Sequence, residues 1–192
     1  RQGLTRPNIQ LFFSPVSYTK APPGKRPLMN PDPFPGFLVG AQPTRPTSRG
    51  HLQIRSPDPM DPVEIHPNYL ATEFDVQDML DAARLSRQIA LAPAMAKMVE
   101  AELLPGSHVT SDEDMIADFR ARATTVFHPV STCRMGPDPA TDVVDAKLNV
   151  HGLQGLRVAD ASIFPTLTSG NTNAPAIMVG EKAADLILAA TR

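Results

Sequence analysis

Proline is the feature that most restricts the fold of this chain. The 192 residues include 21 prolines and 11 glycines, and a proline has no backbone N–H to donate within a helix or a sheet. Proline-rich segments such as Ala21–Gly24 and Asn30–Pro33 lie within the first 68 residues. We therefore expect irregular connections between short strands there. For residues 19–35 alone, an ordered loop and a disordered segment fit the sequence equally well.

Three short runs in this first stretch favour β-strands. They are Ile9–Phe13, Gly36–Gln42 and His51–Arg55, and the last of them alternates polar and apolar side chains. Each run is apolar enough to be buried on one face. We expect an antiparallel sheet with long connections over residues 1 to about 68.

The middle stretch, residues 69–124, carries helical patterns. Asp75 is predicted to be the N-cap of a first helix, because apolar residues recur at helical spacing directly after it. A second helix is predicted over Ala94–Leu104. A third is predicted to open at Ser111, whose next three residues are acidic and suit a helix N-terminus. The methionines of this stretch indicate core packing rather than a cofactor site.

The last stretch, residues 125–192, is predicted to be loop, strand, loop and helix. Leu156–Ala159 is a short apolar strand, and the final helix runs from about Ala174 to Ala190. Pro175 falls in its first turn, where a missing N–H costs nothing. The predicted apolar face consists of Ile177, Gly180, Ala184 and Ile187. A glycine inside a helix costs roughly 1 kcal/mol, so a sheet or a planar ligand is expected to lie against that face.

Composition excludes several classes of protein. The formal charge of −2 gives no long-range attraction for nucleic acid or for an anionic membrane, and no apolar run is long enough for a transmembrane segment. The single cysteine, Cys133, excludes an internal disulfide and gives no sign of secretion, so we expect a cytoplasmic location. The first residue is Arg1 rather than methionine, which leads us to expect a piece of a longer chain.

Two loops in the last stretch contain the candidate catalytic residues. His128 lies between Phe127 and Pro129, which hold its ring in a defined direction, and imidazole is the usual general base of enzymes. On this pattern alone, a structural core histidine is the more common outcome. The loop Thr168–Asn173 leads into a helix N-terminus, where negative charge is favoured. One of its polar residues, Asn173 or Thr172, is expected to cap the helix. If one of the two asparagines, Asn171 and Asn173, has this role, the other is left for chemistry.

Other kinds of site find less support. The remaining four histidines lie in strand or turn patterns and indicate structural roles, and no pair has the spacing of a zinc site, so no metal is expected. No serine has the elbow setting of a Ser–His–Asp hydrolase. No glycine-rich phosphate loop occurs, so the chain alone lacks the usual dinucleotide cradle. Asp160, at the end of the predicted strand, can accept hydrogen bonds from a ligand or cap a turn.

Several spaced segments together resemble the C-terminal region of the glucose–methanol–choline (GMC) flavin oxidoreductases. In chain order they are Ser48–Pro59, His128–Gly136, Val143–Asp145, Leu148–Gly152 and Lys182–Ile187. The resemblance covers roughly residues 40–190 and is closest to the choline dehydrogenase and alcohol (hydroxymethylfurfural) oxidase branch, in which the second catalytic position is asparagine. One departure is Ser131, where many members have glycine. We expect this serine to be tolerated.

The resemblance implies an FAD-dependent oxidoreductase whose substrate is a small alcohol. His128 would take the hydroxyl proton while hydride passes from the alcohol carbon to flavin N5, giving an aldehyde. Asn171 would hydrogen-bond the alcohol oxygen, which leaves Asn173 as the expected helix cap. The implied FAD contacts are Asp160, Ala161, Asn171 and Thr172, and the residues implied to shape the substrate pocket are Val126 and Phe127.

The expected fold class is α+β. Residues 1–125 would form a substrate-binding domain of antiparallel sheet and flanking helices, and residues 126–192 a strand–loop–helix segment that completes a Rossmann-like FAD domain. The rest of that domain would come from a missing N-terminal part, so the chain alone is expected to bind FAD weakly and to be inactive. Two alternatives stay open: a lyase of the hydroxynitrile lyase type, and a non-catalytic binding fragment.

Overall fold

The computed structural model describes residues 3–19 and 30–190. Its contacts divide the chain into two compact units, Arg1–Pro43 with Gln77–Ala121, and Thr44–Val76 with Arg122–Arg192. The predicted loop Ala21–Gly24 lies outside the described residues. The predicted boundary between a substrate domain and an FAD-domain segment, at residues 125 and 126, stays a prediction.

The first unit contains two antiparallel strand pairs. Strand β1 (Ile9–Ser14) pairs with β4 (Leu38–Pro43) so that the first residue of β1 lies opposite the last residue of β4. The short strands β2 (Tyr18–Thr19) and β3 (Asn30–Pro31) form the second pair. The predicted strands near residues 9–13 and 36–42 are therefore confirmed, in two-stranded sheets whose strands are short, as the prolines required.

Among the described residues before 125 there are three helices: α1 (Glu73–Leu91), α2 (Pro93–Ala96) and α3 (Asp112–Arg122). Helix α3 begins where it was predicted, because the Ser111 hydroxyl accepts a hydrogen bond from the backbone N–H of Asp114 at 3.1 Å. The buried apolar side chains of this unit lie on α1 and α3, and they are Leu80, Ala82, Met115 and Phe119.

The second predicted helix, Ala94–Leu104, is wrong in length. Helix α2 ends at Ala96, and the residues after it form turns. Arg87 of α1 holds these turns: its guanidinium forms an ion pair with Glu102 at 2.9 Å and donates to the carbonyl of Val109 at 2.8 Å. These tertiary contacts outweigh the weak local preference for a longer helix.

The predicted N-cap of α1 is also wrong. Thr72 occupies that position, because its carbonyl accepts from the N–H of Val76 at 3.2 Å and its hydroxyl accepts from the N–H of Asp75 at 3.3 Å. The Asp75 carboxylate, which is buried, accepts instead from the backbone N–H groups of Thr47 and Ser48 at 2.7 and 2.8 Å. Asp75 therefore ties the preceding loop to the first turn of α1.

Replacing this carboxylate is expected to destabilise the protein in a pH-dependent way. Burial raises the pKa of Asp75, but hydrogen bonds from Ser48 and Thr47 outweigh burial and hold the pKa below its ordinary value of 3.8. The stabilisation is thus complete above that value and is lost as the pH falls further below it. We expect Asp75→Asn to lower the free energy of unfolding by about 2 kcal/mol at neutral pH. Urea denaturation at pH 7 and pH 3 checks this, and the difference from wild type should shrink at the lower pH. Equal stability at pH 7 would contradict the assignment.

The second unit contains a hairpin, long loops and the last helix. Strand β5 (His51–Gln53) pairs antiparallel with β6 (Glu64–His66), which confirms the strand predicted there. A 3₁₀ turn (Ala161–Ile163) follows the loops, and α4 (Asn173–Ala190) closes the unit within one residue of its predicted start. The core is one cluster of buried side chains from loop, turn and helix: Val144, Leu148, Ile163, Phe164, Val179 and Ala183.

Two predictions for this unit are wrong. Leu156–Ala159 is not a strand: it makes one isolated bridge, Asn149 to Arg157, because its partner segment turns through a left-handed Leu148 with φ 68° and cannot extend a ladder. The buried face of α4 also differs from the predicted one. Val179 and Ala183 face the core, while the predicted residues Ile177 and Ile187 are 59 % and 44 % exposed.

The error in α4 has a physical cause. Apart from one charged side, formed by Glu181, Lys182 and Asp185, the helix is apolar over most of its circumference. Periodicity alone therefore does not fix which part of this wide apolar surface is buried. A methyl group added at Gly180 would point into open space rather than against the described residues. The antiparallel strand pairs and the helices confirm an α+β fold class. That residues 126–192 complete a Rossmann-like domain stays a prediction.

Candidate active site

His128 lies on a loop with an unusual backbone. The residue before it, Phe127, has φ 60°, and Ser131 has φ 76°. Both angles lie in the left-handed region, which non-glycine residues enter at a cost of about 1 kcal/mol or more. The backbone of Ser131 therefore suits the glycine that the family resemblance led us to expect there, while the tolerance of serine stays a prediction.

The loop is anchored beyond His128 by the 3₁₀ turn. The N–H of Cys133 donates to the carbonyl of Ser162 at 3.0 Å, and the N–H of Met135 donates to the carbonyl of Ile163 at 2.8 Å. Ile163 belongs to the same core cluster as Val179 of α4. One core thus holds both the His128 loop and the helix that follows the second loop.

A charged contact braces the same loop further along. The Arg134 guanidinium binds the Asp142 carboxylate at 2.7 Å. The backbone N–H of Asp138 and this guanidinium both hold the pKa of Asp142 below its ordinary value, against an opposing effect of burial. A side chain at Gly136 would collide with this carboxylate, since an added Cβ would lie 2.1 Å from it. Glycine at 136 is therefore required for the brace.

The second loop ends in the N-terminus of α4. Thr172 is the N-cap, because its carbonyl accepts from the N–H of Ala176 at 2.9 Å. Asn173 is the first residue of the helix, so its assignment as the cap is wrong. Asn171 lies just outside the helix and is exposed.

The two loops meet at the His128 ring. Nδ2 of Asn171 lies 2.8 Å from Nε2 of His128, and Oγ1 of Thr172 lies 3.0 Å from Nδ1 of the same ring. His128 is half-buried. His128 is therefore in direct contact with two other residues singled out from the sequence, Asn171 and Thr172, which lie more than 40 positions further along the chain.

These contacts define what each ring nitrogen does. An amide nitrogen donates, so Nε2 is the acceptor in its contact with Asn171. A neutral imidazole carries one N–H; with Nε2 as an acceptor, that N–H would lie on Nδ1, the nitrogen next to the hydroxyl of Thr172. The lone pair of Nε2 therefore faces the amide of Asn171, which is exposed.

The other predicted site residues are placed apart from this contact. Asp160 caps the 3₁₀ turn, with its carboxylate accepting from the N–H of Ser162 at 2.7 Å, and Ala161 is the first residue of that turn. Val126 and Phe127 directly precede His128 in the chain and are 42 % and 72 % exposed. The role of Asp160 as a turn cap was one of the two uses expected of it.

The sequence reasoning missed the contact between Thr172 and His128. The family resemblance implied a contact of Thr172 with FAD, and nothing in the spacing of the two loops points to the histidine. A signal was present nonetheless. Pro175 lies three residues after Thr172 and has no backbone N–H. The hydroxyl of Thr172 therefore has no N–H to accept from at that position and is available for another partner.

Comparison with known proteins identifies relatives of the whole chain. A family model described as GMC oxidoreductase matches residues 46–180. The chain is 45 % identical over 183 residues to "Alcohol dehydrogenase [acceptor]" of Pseudomonas putida, covering 95 % of this chain and 32 % of that protein. It is 46 % identical over 189 residues to "Choline dehydrogenase, mitochondrial" of Mus musculus, covering 97 % of this chain and 30 % of the relative.

A solved structure agrees with these relatives. The crystal structure of pyridoxine 4-oxidase from Mesorbium loti superimposes with a TM-score of 0.74 at 39 % identity, over 82 % of this chain and 31 % of that one. The chain thus spans about a third of the length of the proteins it matches. Within residues 3–19 and 30–190, no helix has the length and apolar character needed to cross a bilayer. The cytoplasmic location stays a prediction.

Proposed function

Because the chain belongs to the GMC oxidoreductase family, whose cofactor is FAD, we propose that it carries the proton-transfer side of an active site that oxidises an alcohol to an aldehyde. The observation that supports this most directly is the 2.8 Å contact between Nε2 of His128 and Nδ2 of Asn171. A proton acceptor at Nε2 and a hydrogen-bond donor at Nδ2 would both lie within reach of one oxygen atom.

His128 is the proposed general base. On alcohol binding, the direct contact between the two nitrogens would open. A hydroxyl oxygen about 3 Å from each would then accept from Nδ2 of Asn171 and donate to Nε2 of His128. The proton then moves from the alcohol oxygen to Nε2, which becomes an N–H. As the oxygen loses its proton, the carbinol C–H bond is weakened and its hydrogen can leave with both electrons. The alcohol loses one proton and one hydride, and the product is an aldehyde.

Asn171 is the proposed donor to the charge that develops on the oxygen. Its amide lies just outside the N-terminus of α4, where the first N–H groups of an 18-residue helix favour negative charge. Such donors contribute most when they are fixed before the reaction, and the core that holds α4 fixes this one. Asn171 would thus orient the alcohol and stabilise its oxygen as the proton leaves.

The residues present also fit a bound flavin. The α4 N-terminus combines unsatisfied N–H groups with the polar side chains of Asn171 and Thr172, a donor set suited to the acceptor atoms of a flavin ring. Asp160 and Ala161, on the 3₁₀ turn that packs near α4, are proposed to contact the ribityl–phosphate side. When bound, FAD supplies the acceptor for the hydride. Because these 192 residues contain no glycine-rich phosphate loop, we propose that a polypeptide segment other than these residues binds the FAD diphosphate.

The proposed substrate is a small alcohol. Val126 and Phe127 precede the base in the chain and expose apolar surface, so they are proposed to shape the pocket for the carbon chain of the alcohol. The names of the relatives support this class, since one is an alcohol dehydrogenase and another a choline dehydrogenase.

A lyase is the second candidate on this scaffold, and one experiment separates the two. The FAD-loaded whole protein is mixed anaerobically with each of a panel of small alcohols. If it oxidises one of them, the visible absorbance of the oxidised flavin should fall. A lyase would instead cleave a cyanohydrin, added as a further substrate, to an aldehyde and cyanide while the absorbance stays constant with every alcohol. That result would overturn the proposed function. Heat-denatured protein with the same alcohols serves as the control. The dehydrogenase and oxidase names of the relatives favour bleaching.

A further inference from the structure

Thr172 contacts the side of the histidine ring away from Asn171, with Oγ1 3.0 Å from Nδ1. We propose that Thr172 is a positioning residue: by accepting the Nδ1 proton it fixes the tautomer of His128 and leaves Nε2 as the base. This inference rests on the proposed function, because it concerns how the same base is prepared.

The number of protons on the His128 ring decides its tautomer. Asn171 donates its amide hydrogen to Nε2, which requires a lone pair there. The single N–H of a neutral ring then lies on Nδ1, where the hydroxyl of Thr172 is the acceptor at hydrogen-bonding distance. The tautomer is therefore set from both sides, by a donor at one nitrogen and an acceptor at the other.

The N-terminus of α4 leaves the hydroxyl of Thr172 available to the His128 ring. An N-cap threonine normally accepts from the backbone N–H of the second or third helical residue. In α4, which begins at Asn173, the third helical residue is Pro175, and proline has no N–H. The usual capping bond at that position is thus absent by chemistry, and the hydroxyl of Thr172 serves His128 instead.

The tautomer of His128 decides whether the ring can take the proton of the alcohol. If Nδ1 lost its acceptor, the neutral ring could place its proton on Nε2. A ring with hydrogen on Nε2 has no lone pair facing the substrate oxygen, so it cannot take the hydroxyl proton. Thr172 touches neither the oxygen nor the reacting carbon in this scheme. Its effect on the reacting oxygen and carbon is exerted through His128.

Two variants test the role by kinetics. Thr172→Val removes the hydroxyl and keeps the shape of the side chain, while Thr172→Ser keeps the hydroxyl. In the FAD-loaded whole protein with a primary alcohol, we expect Thr172→Val to lower kcat about tenfold, the loss expected for one neutral hydrogen bond, with KM changed by less than about twofold. Thr172→Ser should recover most of kcat. A Thr172→Val variant with wild-type kcat would overturn the proposal, as would a serine variant as impaired as the valine one.

A spectroscopic measurement reads the tautomer itself. Ring ¹⁵N shifts of labelled histidine distinguish a protonated Nδ1 from a protonated Nε2, and the His128 signal is identified by its loss in His128→Gln. At about pH 8.5, where an ordinary imidazole is neutral, we expect an Nδ1–H ring in wild type and Thr172→Ser, and a mixture or an Nε2–H ring in Thr172→Val. An Nδ1–H ring in all three proteins would overturn the inference.

The inference and the proposed function fail in different ways. If His128→Gln leaves alcohol oxidation intact, the proposed function fails whatever Thr172 does. If His128→Gln abolishes oxidation while Thr172→Val changes neither kcat nor the ring shifts, only the role of Thr172 fails.

Discussion

His128→Gln is expected to lower the rate constant for flavin reduction by a primary alcohol about a thousandfold. Glutamine keeps a polar side chain of similar length but cannot take up a proton near neutral pH, so the alcohol oxygen must lose its proton to water. General base catalysis by a positioned side chain contributes about a hundredfold to ten-thousandfold, and the expected loss lies within that range. Alcohol binding should change much less, because the base acts as the proton leaves.

The measurement is anaerobic stopped-flow reduction of the FAD-loaded whole protein at saturating alcohol. His108→Gln is the matched control, because His108 is exposed and lies in a turn of the first unit. It should reduce flavin at the wild-type rate. If His128→Gln reduces flavin within a few-fold of wild type, His128 is not the base.

Asn171→Ala is expected to lower the same rate constant about a hundredfold. Its amide would donate to an oxygen that gains negative charge as the proton leaves, and removing one such fixed donor costs about a hundredfold to a thousandfold in other enzymes. We expect the lower end of that range, because Asn171 is exposed in this chain and water can replace part of the lost bond. The change also removes the donor that holds Nε2 of His128 as an acceptor.

Asn173→Ala is the matched control for this variant. Asn173 lies two positions along and is the first residue of α4, so its replacement removes an exposed amide from the same helix end without touching the ring. We expect near-wild-type reduction from it. Equal losses in the two variants would indicate a general effect on the helix terminus rather than a bond to the substrate, and would contradict the role given to Asn171.

The loops that carry the candidate site could be predicted from the sequence, because their composition marks them. His128 and Asn171 lie in segments whose prolines, glycines and polar residues mark stiff turns and a helix start, and the ordered motifs around them resemble a known family. Their contact joins positions more than 40 residues apart, and no local pattern encodes that distance. Thr172 was singled out for a different partner, because its bond to His128 depends on how one core holds both loops.

The scaffold was predicted best where local chemistry decides the structure. Ser111 begins α3 through its own hydroxyl, and the start of α4 was predicted within one residue. The errors arose where distant contacts decide. Arg87 gathers the turns after α2 with an ion pair to Glu102, and Thr72 takes the cap position that Asp75 leaves for a bond to another loop.

The most direct test of the account is the double variant His128→Gln with Asn171→Ala, measured by the same stopped-flow reduction beside both single variants. If the base and the amide act on one oxygen, their losses overlap, since an amide adds little at an oxygen whose proton is not removed. We predict that the double variant reduces flavin at about the rate of His128→Gln alone. Losses that multiply to about a hundred-thousandfold would show two independent effects and would contradict a shared site at the alcohol oxygen.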